Sequence, residues 1–179
     1  MTKGSTVYLF GAGASYGYSG SRTGVNPPLA TNYFSTFYRL LISQDLEVKI
    51  GAIVNFIRDT KGIAPDALPE EFNEDIEKLF SELHEQLETS IANGDKSVEF
   101  FTVAKAYDQF VFWFCHVLNE IQNGEPCEIY SSLISQTGPN DTFLTLNWDT
   151  ILDRSLAATG KWHPDDGYGI PFFKLFEDH

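Results

Sequence analysis

The sequence predicts an α/β fold, a parallel sheet carrying a large and mostly helical insertion at about residues 28–136. Three observations predict it. Val7-Tyr8-Leu9-Phe10 is a short β-rich apolar run that stops at a glycine-rich turn. Thr142-Phe143-Leu144-Thr145-Leu146 is a second such run, with a helical pattern directly behind it. Between the two, apolar residues recur at helical spacing in segment after segment.

Taken in order, Val7 to Phe10 reads as a strand buried on both faces. Residues 17–27 are rich in turn formers, as expected of a loop that covers a ligand. Asn26-Pro27-Pro28 looks like a helix start, a side-chain cap followed by proline in the first turn. Phe34, Phe37, Tyr38 and Leu41 then share a helical face, and Leu46, Ile50, Ile53, Val54 and Ile57 form another. Pro65 to Pro69 reads as a linker. From Phe72 through Ile76, Leu79, Leu83 and Leu87 to Ile91 the period is again helical, and Asn93-Gly94 stops it. The acidic residues on its other face read as a solvated surface. An aromatic-rich helix is expected over residues 98–122, and a shorter one after Pro126. Ile151, Leu152, Ser155 and Leu156 suit a helix behind the second strand, and Ile170 to Leu175 is a third strand candidate. A parallel sheet rarely stops at two or three strands. Residues 1–179 therefore read as one domain whose sheet continues, either in a partner or in further chain.

The chain has 179 residues, enough to bury a core, and a net charge of −13 with only 12 Lys and Arg. That balance argues against a nucleic-acid surface, which needs a basic footprint to release counterions. The two cysteines, Cys115 and Cys127, form no CxxC pair, so a zinc ribbon is excluded and no metal is expected. The densest apolar stretch, Phe110 to Leu118, is too short to span a bilayer, and nothing resembles a signal peptide. A cytoplasmic protein with reduced thiols is expected.

Gly11-Ala12-Gly13-Ala14-Ser15 carries the first chemical signal. Backbone N–H groups reach a phosphate only where the chain turns sharply and no side chain intervenes. Ser15 can donate to that phosphate or cap the helix that follows. A tight turn without a ligand is the alternative. A dehydrogenase fingerprint is disfavoured, because the third glycine, Gly17, falls one place late and no acid stands at the expected spacing. A P-loop is excluded, since no Gly-Lys-Ser/Thr follows.

The second signal is Thr145-Leu146-Asn147-Trp148-Asp149, at the end of a strand where open α/β sheets bind ligands. Asn147 offers a donor and an acceptor, and Asp149 a carboxylate. Such a pair can hold a ribose hydroxyl, a carboxamide or a water; helix capping is the alternative.

Together the two motifs resemble the sirtuin-like superfamily, and most closely the bacterial sirtuin-like NAD hydrolases of anti-phage defence. Phe10 to Ser15, Pro27-Pro28-Leu29, Asp75 to Phe80, Phe143 to Leu156 and Asp166 to Pro171 carry the resemblance. It implies a Rossmann-like sheet and NAD as ligand or substrate. It also implies that Gly11, Ala12, Gly13, Ala14 and Ser15 hold the pyrophosphate, and that Pro28 and Leu29 belong to the cofactor loop. Asn147 would position the nicotinamide-side ribose or the attacking water, and Asp149 the nicotinamide carboxamide.

One part of the pattern is missing. Such families place a histidine base in a Leu-His-Gly segment on a later strand, but here Phe173-Lys174-Leu175 runs into Phe176-Glu177-Asp178. His84 and His116 read as a surface and a core histidine, while His163 and His179 are the candidate substitutes. Four readings follow. The chain is an NAD hydrolase releasing nicotinamide and ADP-ribose, or a non-catalytic module that binds NAD or ADP-ribose. A protein deacylase is disfavoured, because the four-cysteine zinc module is absent. The fourth reading is a homo-oligomerising piece whose aromatic helices pack on copies of itself.

Overall fold

The structure is a computed structural model that describes residues 4–41 and 46–163. The described elements are β1 (Val7–Phe10), α1 (Ala12–Tyr16), α2 (Tyr33–Leu41), α3 (Leu46–Lys61), α4 (Leu68–Glu71), α5 (Ile76–Ala92), α6 (Val98–Gln122), α7 (Glu128–Ser135), β2 (Thr142–Thr145) and α8 (Ile151–Ala158). β1 and β2 pair in parallel, with Val7 opposite Thr142 and Phe10 opposite Thr145.

This architecture corrects the expected Rossmann-like sheet. Among the described residues the sheet has two strands only, and helices make up most of the chain. The larger core lies between helices: Phe34 and Phe37 of α2, Ile53 and Ile57 of α3, Leu79 and Leu83 of α5, and Phe110, Val117 and Ile121 of α6. The apolar residues of residues 28–136 therefore build a helical core of their own rather than a cover for a wide sheet. The candidate strand Ile170 to Leu175 lies outside the described residues.

β1 is also covered on one face only. Val7 and Leu9 are 61% and 65% exposed. Tyr8 and Phe10 point the other way, where both stack on Phe143 of β2. That face packs on a second, smaller core made by Tyr18, Cys127, Tyr130, Ile134, Ile151 and Leu152. A four-residue apolar run does not reveal how many of its faces are covered, because covered and uncovered side chains alternate with period two.

The helix expected near Pro27 begins at Tyr33 instead. Each proline keeps the residue before it out of helical geometry. Asn32 stands at the start, where its carbonyl accepts the first helical bond from Thr36 N–H at 3.1 Å, while its Oδ1 turns back to accept from Leu29 N–H at 2.7 Å. Pro65 to Pro69 is not a plain linker, because α4 begins within it. The other caps follow local rules. Asp75 accepts from Glu77 N–H to open α5, and Ser97 accepts from Phe100 N–H to open α6. Gly94, with φ +64°, ends α5 in left-handed geometry. Part of the acidic surface is paired rather than only solvated, with Lys61 of α3 bonded to Glu74, just before α5, and to Glu82 on α5.

The α6–α7 loop is tied to the rest at close quarters. Tyr18 Oη donates to the Glu125 carbonyl at 2.7 Å, and Arg154 of α8 donates to the Gln122 and Gly124 carbonyls. A Cβ on Gly124 would strike the Gly20 backbone, so glycine is required there by close approach. No described helix is long and apolar enough to cross a membrane.

Leu79 is fully buried in the core shared by α3, α5 and α6. Leu79→Ala is expected to cost about 2–5 kcal/mol in chemical denaturation, through lost transfer energy and the cavity left behind.

Candidate functional site

Parallel pairing brings the two motifs together. β1 and β2 leave the sheet at the same edge, and Leu146 N–H donates to the Phe10 carbonyl at 3.0 Å as the last rung. Gly11 and Asn147 follow immediately. Gly11 has extended backbone, φ −120° and ψ 179°, and caps α1 without a positive φ. A Cβ added at Gly11 would meet nothing within 4 Å. The glycine thus keeps the front of the turn open rather than permitting an unusual dihedral.

Ser15 lies further along α1 and is only 1% exposed. Asn147 Nδ2 donates to Ser15 Oγ at 2.8 Å. Ser15 Oγ in turn donates to Asp149 Oδ1 at 3.1 Å. Asp149 Oδ1 also accepts from Ile151 N–H at 3.0 Å, at the start of α8. Asp149 therefore shapes the start of α8 and also lines the adjoining cleft. Burial pushes the Asp149 carboxyl above the ordinary carboxylate range. The Ile151 N–H and the Ser15 hydroxyl pull it back down, and Asp153 pushes it up.

In front of this network is a cleft of about 200 Å³. Gly11, Ala12, Pro28, Leu29, Asn147 and Asp149 all line it. Gly13, Ala14 and Ser15 are not among its lining residues, and Ser15 reaches the site through its hydroxyl bonds alone. The far wall comes from Tyr33 of α2, Ile76 and Glu77 of α5, and Phe114 and Leu118 of α6. Trp148 closes one side. Its indole N–H donates to Glu77 Oε1 at 3.3 Å, and its ring stands edge-on to Phe114 at 5.2 Å.

Two buried polar atoms of the lining residues have no hydrogen-bond partner, Asn147 Oδ1 and the Tyr33 hydroxyl. Both are atoms for which a ligand or water is the natural partner. Burial raises the Tyr33 phenol well above its ordinary range, so it is neutral.

Sequence reading missed Tyr33, Phe114 and Leu118 as site residues, because their helical spacing marks them only as core. It also missed Tyr130 of α7, whose hydroxyl stands 3.3 Å from Ser15 Oγ. No histidine lines the cleft among the described residues. His84 stacks on Phe80, and His116 packs against Phe112 and Trp113. His163 is described and does not line the cleft, whereas His179 lies outside the described residues. Cys115 and Cys127 are free, and no group of three metal-ligating side chains occurs among the described residues.

Compared with protein-family models, with curated proteins and with solved structures, the chain matches none.

Ser15→Ala is expected to lower stability by about 1–3 kcal/mol in denaturant melts, since it strands Asn147 Nδ2 and leaves Asp149 without its hydroxyl donor. Asp149 also imposes a pH dependence. Its folded pKa is raised, so its protonated form favours folding, and that contribution is lost as pH rises through the folded value. The stability of Asp149→Asn relative to the unmodified protein is therefore expected to increase with pH across that window. Paired melts at stepped pH check this, and a flat difference would contradict it.

Proposed function

We propose that this chain binds NAD in the cleft and hydrolyses its nicotinamide–ribose bond, giving nicotinamide and ADP-ribose. The observation that carries the reading is the meeting of Gly11-Ala12 with Asn147 and Asp149 at one sheet edge, with Ser15 bonded to both polar side chains. The resemblance of these two motifs to the sirtuin-like superfamily supports the choice of NAD. A role in anti-phage defence rests on that resemblance alone.

The geometry suits the chemistry. Nicotinamide departs from a cationic ring, so the ribose carbon develops oxocarbenium character, and the site has only to hold that carbon beside a water. Water forms the new C–O bond, the C–N bond breaks with its electron pair going to nicotinamide, and the water proton leaves to solvent. Asn147 donates through Nδ2 to Ser15, which leaves Oδ1 as a fixed acceptor. Both candidate partners, a ribose hydroxyl and the attacking water, carry a proton to donate to it. A nearby carboxylate at Asp149 favours developing positive charge. At about 200 Å³ the cleft falls below the usual range for whole ligands. It can enclose one end of a dinucleotide, with the remainder lying across the open front at Gly11 and Ala12.

A second reading, a module that binds NAD or ADP-ribose without turnover, is favoured by one observation. The described part of the cleft has no histidine to serve as a base.

Incubation with NAD and chromatography of released nicotinamide tests the first reading, and calorimetry with NAD and ADP-ribose tests the second. Release is expected, and Asn147→Ala is expected to cut it at least about a hundredfold. Binding without release transfers the chain to the second reading, and neither binding nor release refutes both.

A further inference from the structure

Ser15 Oγ has one proton to give and two lone pairs to accept with. The proton goes to Asp149 Oδ1, and one lone pair takes Asn147 Nδ2–H. The remaining neighbour is the Tyr130 hydroxyl at 3.3 Å. Because the serine proton is already committed, the tyrosine must be the donor in this arrangement. Ser15 is then saturated, and every proton in the cluster has a direction: Tyr130 to Ser15, Asn147 to Ser15, Ser15 to Asp149.

Tyr130 stands outside the cleft. It is 2% exposed on α7, and its ring meets Phe10 of β1 edge-on at 5.4 Å and 88°. It is neutral, since burial raises its phenol. It belongs to the small core that also holds Ile134, Ile151 and Leu152. Packing alone would account for a phenylalanine here, but it does not account for a hydroxyl aimed at the one serine that joins both motifs.

We propose that Tyr130 is a positioning residue for the site, which holds the Ser15 proton on Asp149 and thereby presents Asn147 Oδ1 to the cleft. Were the tyrosine to accept rather than donate, Ser15 would lose its bond to Asp149. A donor behind Ser15 also polarises its hydroxyl, which strengthens the bond Ser15 gives to the carboxylate. The hydroxyl–hydroxyl distance is long for such a bond, so the effect is modest and directional. The other groups acting on Asp149 are the Ile151 N–H and Asp153 on α8, and Glu77 of α5 lines the same cleft. β1 and α1 contribute no charged side chain.

The test reads the Asp149 carboxyl by ¹³C NMR titration, which does not require the protein to turn over NAD. Tyr130→Phe keeps the ring on Phe10 and removes only the donor. It is expected to raise the Asp149 midpoint by roughly half a pH unit. In a Ser15→Ala background the same substitution is expected to change nothing, because the connecting hydroxyl is gone. An unmoved midpoint in the single variant overturns the proposal. An equal movement in both backgrounds also overturns it, since that is the mark of a packing effect. If Ser15→Ala fails to fold, Ser15→Gly, which also lacks any side-chain donor or acceptor, serves as the second background. Failure of NAD hydrolysis would leave this titration result standing, so the two readings fall separately.

Discussion

A single serine hydroxyl joins segments 132 and 134 residues apart in the chain. Ser15 Oγ accepts from Asn147 and donates to Asp149, and it does so almost completely out of solvent. Bonds of this kind contribute about 1 kcal/mol each, more where one partner is charged, and cost more than that if left half-made. The arrangement is thus held less by attraction than by the penalty for breaking it. It also sets the orientation of the Asn147 amide, and so determines which atom faces the cleft.

That hydroxyl can act only because of the sheet beneath it. Parallel pairing places the C-terminal ends of β1 and β2 at the same edge, where an antiparallel pair would place them at opposite ends. Tyr8, Phe10 and Phe143 hold the covered face on the small core, and Leu146 closes the last rung beside Gly11. Two short strands are weak alone. Here α7 and α8 cover one face, and Arg154 and Tyr18 tie the loop before α7 to the same unit.

The helical core supplies the opposite wall. Ile76 and Glu77 begin α5 directly after its Asp75 cap, and Phe114 and Leu118 come from the C-terminal half of the long α6. Trp148 spans the gap, with its indole N–H on Glu77 and its ring against Phe80 and Phe114. The cleft is therefore shaped jointly by the small sheet unit and the helices. It offers polar atoms on one side and aromatic surface on the other, the usual makeup of a small-molecule site.

The sequence alone determined the local features. Helical periods placed α5 and α6, Asn93-Gly94 marked a stop, and the two short motifs stood out by residue type and spacing. These are decided by forces within a few residues, namely capping, steric limits on φ and the rotation per residue. The tertiary structure decided the rest. It showed that the sheet has two described strands with one face uncovered, because the apolar residues of the insertion pack on each other. It moved the start of α2 from Pro27 to Tyr33, where the Asn32 carbonyl accepts the first helical bond from Thr36 N–H. It brought Tyr130 behind Ser15 and Tyr33 into the cleft lining, contacts that join residues far apart in the chain. A core aromatic in a helical stripe looks the same in sequence whether its hydroxyl meets another side chain or none. Only the packing of one element on another distinguishes the two.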